Sequence, residues 1–258
     1  MRPEEGAQSP AVHEAVAAPA GFARRLDWPD CRNTRDLGGL PCASGVTRHG
    51  VVIRSDNVSA LNAEGVRAMW EYGVNTVIDL RSESEIAKNP SPFAPPDYGP
   101  RYLHLPLIDD AFAAAIAGTT GMAERYKLMV DHRRQAFGQI FTALAGATGP
   151  AVFHCFAGKD RTGLVAAMLL SLAGVEEAAI AADYAETDEQ LASRYAEWLA
   201  AAPPERLEAM RDEFRCPPEW MLGALEHVSQ AWGSVEAYLA AAGVEPSDMA
   251  TLQAKLAG

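Results

Sequence analysis

The chain has 258 residues, of which 48% are hydrophobic, and its 22 Lys and Arg against 34 Asp and Glu give a formal net charge of −12 at pH 7. The electrostatic field of a negatively charged protein repels nucleic acid and anionic membranes, so we expect neither as a partner. An anionic ligand would therefore need a local, focused positive site. No run of about 20 apolar residues predicts a membrane span, and the N-terminus has no apolar signal segment. We expect a cytoplasmic protein without a stable membrane anchor.

The four cysteines predict neither a disulfide framework nor a zinc site. Four in a chain of this length are too few for a disulfide-stabilised scaffold, and their spacings match no zinc motif. We therefore expect no metal and no cofactor.

In chain order, an unpatterned N-terminal segment is followed by alternating strands and helices. Residues 1–25 are rich in Ala and Pro and predict a disordered tail, which leaves one domain over residues 26–258. Short apolar runs predict strands, and longer periodic runs predict helices. This order indicates an α/β fold, with a central, mostly parallel sheet flanked by helices and a helical C-terminal third. The expected strands are 40–46 (with a turn), 50–54, 74–80, 101–105 and 151–154, and the expected helices are 62–70, 121–146, 162–173, 176–187, 188–201, 204–213, 218–230, 234–242 and 247–257.

The segment with the clearest chemical pattern is 151–163, which reads A-V-F-H-C-F-A-G-K-D-R-T-G. An apolar strand leads into a Gly-containing loop and then into an apolar helix. Successive backbone N–H groups in a tight loop at a helix N-terminus form an anion site, and Arg161 can hold two oxygens of a phosphate at once. Gly158 allows the inward turn. The phosphate-binding residues are predicted to be Phe156, Ala157, Gly158, Lys159 and Arg161.

Cys155 is the predicted nucleophile of this loop. A thiol at a helix N-terminus beside an arginine ionises readily, and a thiolate in line with phosphorus can form a phospho-cysteine. The Thr162 hydroxyl is expected to point back at the sulfur, and His154 to fix the loop by hydrogen bonding. Cys42 and Arg48 share the Cys-x5-Arg spacing but lack the strand, the Gly, the Thr and the helix. The alternative for Cys155 is a buried structural cysteine.

The loop H-C-F-A-G-K-D-R-T-G resembles that of the cysteine phosphatases, most closely the atypical bacterial tyrosine and dual-specificity group. The resemblance implies a phosphatase-type α/β fold and metal-independent dephosphorylation of phosphotyrosine, with phosphoserine, phosphothreonine and phosphoinositides as alternative substrates. It also implies that helices over the site can act as a lid, for which residues 111–135 are the candidate. Further stretches of the group occur here in the expected order, namely N-T-R-D-L-G-G at 33–39, I-R-S-D at 53–56, V-I-D-L-R-S-E-S-E at 77–85, L-P-L-I-D at 105–109, Asp183-Tyr184, and W-G-S-V-E-A-Y-L at 232–239.

Three carboxylic acids are candidates for the general acid that protonates the leaving oxygen. Asp160 is the first choice because it lies inside the loop beside Arg161, and the resemblance implies the same role. Asp109 and Asp131 follow in that order. The alternative for Asp160 is a salt bridge that orients the loop. For Lys159 the alternatives are a solvated charge at the rim and a contact with a second phosphate on an inositol ring.

Other arginines are expected to support the loop. Arg54 and Arg81 end strands on the side of the sheet where ligands bind, and Arg35 is expected to pair with its neighbour Asp36. The competing functions are a catalytically weak module that binds phosphorylated partners, and another cysteine-loop enzyme such as a sulfurtransferase or an arsenate reductase. Retention of Cys155 and Arg161 argues against the first of these.

Overall fold

The computed structural model describes residues 23–94 and 99–258. The predicted tail, 1–25, lies outside the described residues except for its last three, of which Arg24 forms an ion pair with Asp183. In the part of the chain that is described, no helix is both long enough and apolar enough to cross a membrane.

A five-stranded sheet forms the centre of the molecule, in the order β1 (Arg35–Asp36), β4 (Val52–Ser55), β7 (Ala151–His154), β5 (Thr76–Asp79) and β6 (Arg101–His104). β4, β7, β5 and β6 are parallel, and β1 runs antiparallel to β4 at one edge. The predicted α/β class with a mostly parallel sheet is therefore confirmed. A separate small hairpin consists of β2 (Pro41–Cys42) and β3 (Gly45–Val46).

β7 lies in the middle of the sheet, and its last residue sets the position of the site. His154 is in register with Ser55 of β4 on one side and with Asp79 of β5 on the other. The carboxyl ends of three strands therefore meet at one edge. Ligands of open parallel sheets bind outside this edge.

Helices cover both faces of the sheet, and most of the second half of the chain is helical. α6 lies under the site, and nearly all its side chains are buried. The helices are α1 (Ala63–Glu71), α2 (Glu83–Lys88), α3 (Asp110–Ile116), α4 (Met122–His132), α5 (Arg134–Ala145), α6 (Asp160–Leu172), α7 (Glu177–Ala201), α8 (Leu207–Phe214), α9 (Pro218–Trp232), α10 (Val235–Ala241) and α11 (Pro246–Leu256), with 3-10 turns at Val58–Ala60 and Pro204–Arg206.

Two predicted helix boundaries were wrong. The expected helix 121–146 is two helices, α4 and α5, because Arg133 between them leaves the helical conformation and donates to the Leu107 carbonyl. The expected pair 176–187 and 188–201 is the single helix α7. Thr187, at the expected boundary, is buried and accepts from Arg35 inside the fold, and the helix continues past it.

Candidate active site

The loop 155–159 follows β7 and leads directly into α6, as the sequence predicts. Cys155 is buried, with 2% of its surface exposed. Gly158 has a φ of +66°, and a Cβ there would lie 2.6 Å from the Ser55 carbonyl oxygen and 2.7 Å from the Asp56 nitrogen. Only glycine fits this position, because both the backbone conformation and the closeness of β4 exclude a side chain.

Three consecutive carbonyl groups of the loop face the surrounding framework. The Phe156 oxygen accepts from the Asn57 amide at 3.1 Å, and the Ala157 oxygen accepts from Asn33 Nδ2 at 3.0 Å. The Gly158 oxygen accepts from Arg54 Nη2 at 2.8 Å.

These three bonds determine where the loop amides point. In a trans peptide the C=O of one residue and the N–H of the next point in opposite directions. The N–H groups of Ala157, Gly158 and Lys159 therefore face the inner side of the loop, away from the framework. Convergent backbone amides at a helix N-terminus are suited to hold an anion.

Arg161 is held by Glu85, which the sequence analysis did not identify as a site residue. Nη1 and Nη2 of Arg161 lie 2.5 and 2.8 Å from the two carboxylate oxygens of Glu85. Arg161 Nη1 also lies 3.5 Å from the Leu80 carbonyl. A guanidinium has five N–H donors, so among the described residues these contacts leave donors on Nε and Nη2 for a ligand.

Asp183 is the centre of a buried cluster of charges that supports the loop from below. Its carboxylate accepts from Arg54 at 2.6 Å and from Arg35 at 3.0 Å, and it also pairs with Arg24. Burial alone would raise the pKa of Asp183, but the charges of Arg35, Arg54 and Arg24 outweigh it and hold this pKa well below its usual range. Because Arg54 also bonds the Gly158 carbonyl, the cluster fixes the backbone of the loop.

The predicted pair of Arg35 with Asp36 was wrong. Adjacent residues of a strand point to opposite faces of the sheet, so the two side chains of β1 cannot meet. Arg35 binds Asp183, whereas Asp36 accepts from the Gly38 and Gly50 amides on the other side.

Arg81 turns away from the loop. Its guanidinium binds the Asp79 carboxylate at 2.6 Å and the Ser59 hydroxyl at 2.8 Å.

Asp56, also missed from sequence, is buried beside β4 and accepts from the backbone N–H groups of Arg32 and Asn33. It thereby holds the segment whose Asn33 amide bonds the Ala157 carbonyl.

His154 lies fully buried under the loop. Its Nδ1 is 3.1 Å from the Cys155 carbonyl oxygen, and its Nε2 is 3.6 Å from Asp79 Oδ2. Burial lowers the pKa of His154. The imidazole is therefore held neutral, in contact with the loop backbone.

The three candidate acids occupy different surroundings. Asp160 is at the first position of α6 and lines a cavity of about 570 Å³ beside the loop. Asp109 caps α3 by accepting from the Phe112 amide and pairs with Arg133 at 2.7 Å. Asp131 bonds His227 at 2.7 Å. Of the three, only Asp160 lines the cavity.

Lys159 is buried, with 3% of its surface exposed, so the expected solvated charge at the rim was wrong. Its ammonium group donates to the carbonyl oxygens of Glu213 and Arg215, and it lies 5.5 Å from the ring centre of Trp220. The side chain therefore ties the loop to the end of α8.

The cavity has walls from both sides of the loop. Met122 and Arg125 belong to the segment 111–135, the candidate lid, while most of the wall comes from α7, the following turn and α8. The half-exposed Phe156 stacks on Trp198 of α7 at 5.5 Å. Aromatic and other apolar side chains dominate this wall, namely Phe156, Tyr195, Trp198, Pro203, Met210 and Phe214.

Thr162 is buried in the first turn of α6. Its hydroxyl oxygen has no hydrogen-bond partner among the residues that the structure describes, so the expected bond to the sulfur is not formed there. A buried hydroxyl without a partner costs about 1–3 kcal/mol, which favours a hydrogen bond when the site is occupied.

No group of three or more His, Cys, Asp or Glu within residues 23–94 and 99–258 is arranged to hold a metal ion.

Comparisons with known proteins find tyrosine phosphatases. A Cupriavidus necator protein that carries a provisional tyrosine-protein phosphatase name is 31% identical over 250 residues, covering 88% of each chain. The triple specificity protein phosphatase PtpB of Mycobacterium tuberculosis is 28% identical, covering 90% of this chain and 99% of its own. The solved structure of P. aeruginosa TpbA is 21% identical and covers 75% of this chain and 86% of its own, with a TM-score of 0.32. Because the profile of the tyrosine phosphatase family matches residues 26–258, nearly the whole chain, the protein belongs to that family.

Proposed function

We propose that the protein is a cysteine-dependent phosphatase that hydrolyses phosphotyrosine through a phospho-cysteine intermediate. The inward-facing amides between Cys155 and Arg161 support this proposal above all other features. They and the two remaining guanidinium donors of Arg161 suit the three non-bridging oxygens of a phosphate ester. In the transition state these donors stabilise the charge that develops on the transferring group.

The first step breaks the ester bond. The Cys155 sulfur forms a bond to phosphorus as the bond from phosphorus to the leaving oxygen breaks. Asp160 gives its proton to that oxygen, which departs as a hydroxyl group. The position of Asp160 on the cavity wall supports this assignment over Asp109 and Asp131, whose carboxylates are engaged elsewhere.

The second step regenerates the enzyme. A water molecule attacks phosphorus and gives a proton to the Asp160 carboxylate, and the sulfur leaves as thiolate together with inorganic phosphate. The Thr162 hydroxyl is suited to bond the departing sulfur, because it is buried and has no partner among the described residues. The step needs no metal ion.

The aromatic wall of the cavity favours a phenol as the leaving group. Asp160 lines the same cavity, so the group that it protonates would enter the cavity and meet these side chains. The name of the mycobacterial relative speaks of triple specificity. For this chain we propose phosphotyrosine as the first substrate class, with phosphoserine and phosphothreonine second. A phosphoinositide is less favoured, because the Lys159 ammonium group already donates to two backbone carbonyls.

The test is hydrolysis of para-nitrophenyl phosphate with a chelator present. Cys155→Ser should abolish turnover, and mass spectrometry of acid-quenched wild type should detect one phosphoryl group on Cys155. Cys42→Ser is the matched control, since Cys42 has the same spacing to an arginine. Full activity of Cys155→Ser would refute the mechanism. An inactive wild type that still binds vanadate would support the phosphate-binding module instead.

A further inference from the structure

A chain of three hydrogen-bonding groups leads from the protein interior to the proposed acid. Tyr126 of α4 donates its hydroxyl proton to Asp160 Oδ1 at 2.5 Å. The Tyr184 hydroxyl of α7 lies 2.8 Å from the Tyr126 hydroxyl. Because Tyr126 has only one hydroxyl proton and gives it to Asp160, Tyr184 must be the donor in the second bond.

The two tyrosines are held rigidly. Tyr126 is 0% and Tyr184 is 1% exposed, and their rings meet edge to face with centroids 6.2 Å apart. The lack of a side chain at Gly163 makes room for Tyr184, since a Cβ there would lie 3.1 Å from the ring. Burial raises the pKa of both phenols, so both remain protonated donors at neutral pH.

The donors around Asp160 distinguish its two oxygens. Oδ1 accepts from Tyr126 and lies 3.1 Å from the Lys159 ammonium nitrogen. An oxygen that already accepts a hydrogen bond and lies beside an ammonium group is a poor place for a proton. The proton of the neutral acid therefore belongs on Oδ2, the other oxygen of a side chain that is about one-quarter exposed beside the cavity.

We propose that Tyr126, with Tyr184 behind it, is a positioning residue that fixes the Asp160 carboxyl group so that Oδ2 carries the transferred proton. This inference rests on the proposed role of Asp160 as general acid. It goes beyond that role because it assigns a function to two buried tyrosines on helices remote in sequence from the loop.

The test compares two substrates that differ in their need for an acid. Phenyl phosphate has a poor leaving group, whereas para-nitrophenyl phosphate has a good one and needs little protonation. General acid catalysis contributes about 10²–10⁴-fold, and we expect Tyr126→Phe to lose roughly 10-fold or more of kcat/KM on phenyl phosphate. On para-nitrophenyl phosphate the same variant should stay within about 3-fold of wild type, because little of that acid contribution is used there.

Tyr238→Phe is the matched control. Tyr238 is also fully buried, and its hydroxyl donates to the Val130 carbonyl, away from the loop. Tyr238→Phe should leave the ratio of kcat/KM on the two substrates unchanged. If Tyr126→Phe lowers kcat/KM equally on both substrates, or lowers it on neither, the positioning role is wrong. If Tyr126→Phe does not fold, Tyr184→Phe serves instead, with a smaller selective loss expected and the same readings of its outcomes.

Asp160→Asn separates failure of this inference from failure of the proposed function. A selective loss on phenyl phosphate in Asp160→Asn but not in Tyr126→Phe would overturn the inference alone. No selective loss in Asp160→Asn would overturn both the acid assignment and the inference, while Cys155→Ser would still test the nucleophile. A variant that combines Tyr126→Phe with Asp160→Asn should be no slower on phenyl phosphate than Asp160→Asn alone. Both residues act through the same proton, the one that Asp160 transfers.

Discussion

Glu85 and Arg161 form an ion pair with two contacts, at 2.5 and 2.8 Å, that joins α2 to the proposed phosphate site. The same Glu85 carboxylate accepts from the Ser82 amide at 2.8 Å and so completes the capping box of α2. Burial would raise the pKa of Glu85, but the hydrogen bonds and charge of Arg161 lower it below the usual value. One carboxylate thus fixes both the start of a helix and the direction of the guanidinium.

Glu85→Gln should therefore impair the reaction through Arg161. A hydrogen bond between charged groups contributes about 1.5–3 kcal/mol, which corresponds to a loss of roughly 10- to 150-fold in kcat/KM. Inhibition by vanadate should weaken in parallel, since the same donors bind the anion. Glu83→Gln is the control, because Glu83 is in the same helical turn but its side chain is largely exposed. Equal activity of the two variants would show that Glu85 does not orient Arg161.

Gly158→Ala tests the geometry of the loop. The added Cβ would approach the backbone of Ser55 and Asp56 to within 2.7 Å, in a conformation that other residues avoid. Strain of this kind costs about 1–3 kcal/mol of the free energy of unfolding. Displacement of the inward-facing amides should lower kcat/KM by more than this loss of stability explains. Thermal unfolding and kcat/KM measure the two effects.

The control for this change is Gly223→Ala in α9. A Cβ there meets nothing within 4 Å, so the replacement should stabilise the helix by about 0.5–1 kcal/mol without loss of activity. If Gly158→Ala behaves in the same way, the loop is less constrained than its contacts indicate.

The strand, the loop and the helix start of the candidate site were predictable from the sequence, whereas the contacts that support them were not. Residues 151–163 contain a strand, a turn that requires glycine and a helix start, all of which depend on neighbours in the chain. By contrast, the bond from Arg54 to Asp183 joins residues 129 positions apart, and that from Arg161 to Glu85 joins residues 76 positions apart. No periodicity of a single sequence carries such pairings.

The direction of a long side chain was equally beyond the sequence. Lys159 was expected at the solvent or at a second phosphate, but the carbonyl groups at the end of α8 bind it because α7 and α8 fold back over the loop. The Arg35 side chain was assigned to its sequence neighbour, although the alternation of side chains along a strand argues against that pairing.

Asp183→Asn should destabilise the protein and change its response to acid. Asparagine at this position would leave Arg54 without a carboxylate partner among the described residues, and Arg35 with only Glu186 at 3.7 Å. Breaking a buried ion cluster in this way costs about 3–5 kcal/mol at neutral pH. The folded pKa of Asp183 is depressed, so its stabilisation is complete well above the unfolded pKa of about 3.9. The stabilisation is lost progressively as the pH falls from about 5 through the unfolded pKa towards the folded pKa.

The wild type should therefore lose stability more steeply than Asp183→Asn as pH decreases from about 5. Urea unfolding at a series of pH values measures this difference. Asp27→Asn is the control, since Asp27 pairs with Arg25 on the surface and its side chain is 90% exposed. Parallel curves for wild type and Asp183→Asn would contradict the charge cluster as the source of the acid sensitivity.

Lys159→Met separates a structural from a substrate-binding role of this lysine. The ammonium group would have to leave the Glu213 and Arg215 carbonyls to reach a second phosphate. We therefore expect the ratio of rates on a phosphoinositide and on a phosphotyrosine peptide to remain unchanged.

Loss of hydrogen bonds from a charged group should lower stability by about 1.5–3 kcal/mol and increase amide exchange in α8. Lys127→Met on the partly exposed surface of α4 is the control. A selective loss of activity on the phosphoinositide in Lys159→Met would instead assign this lysine to substrate binding.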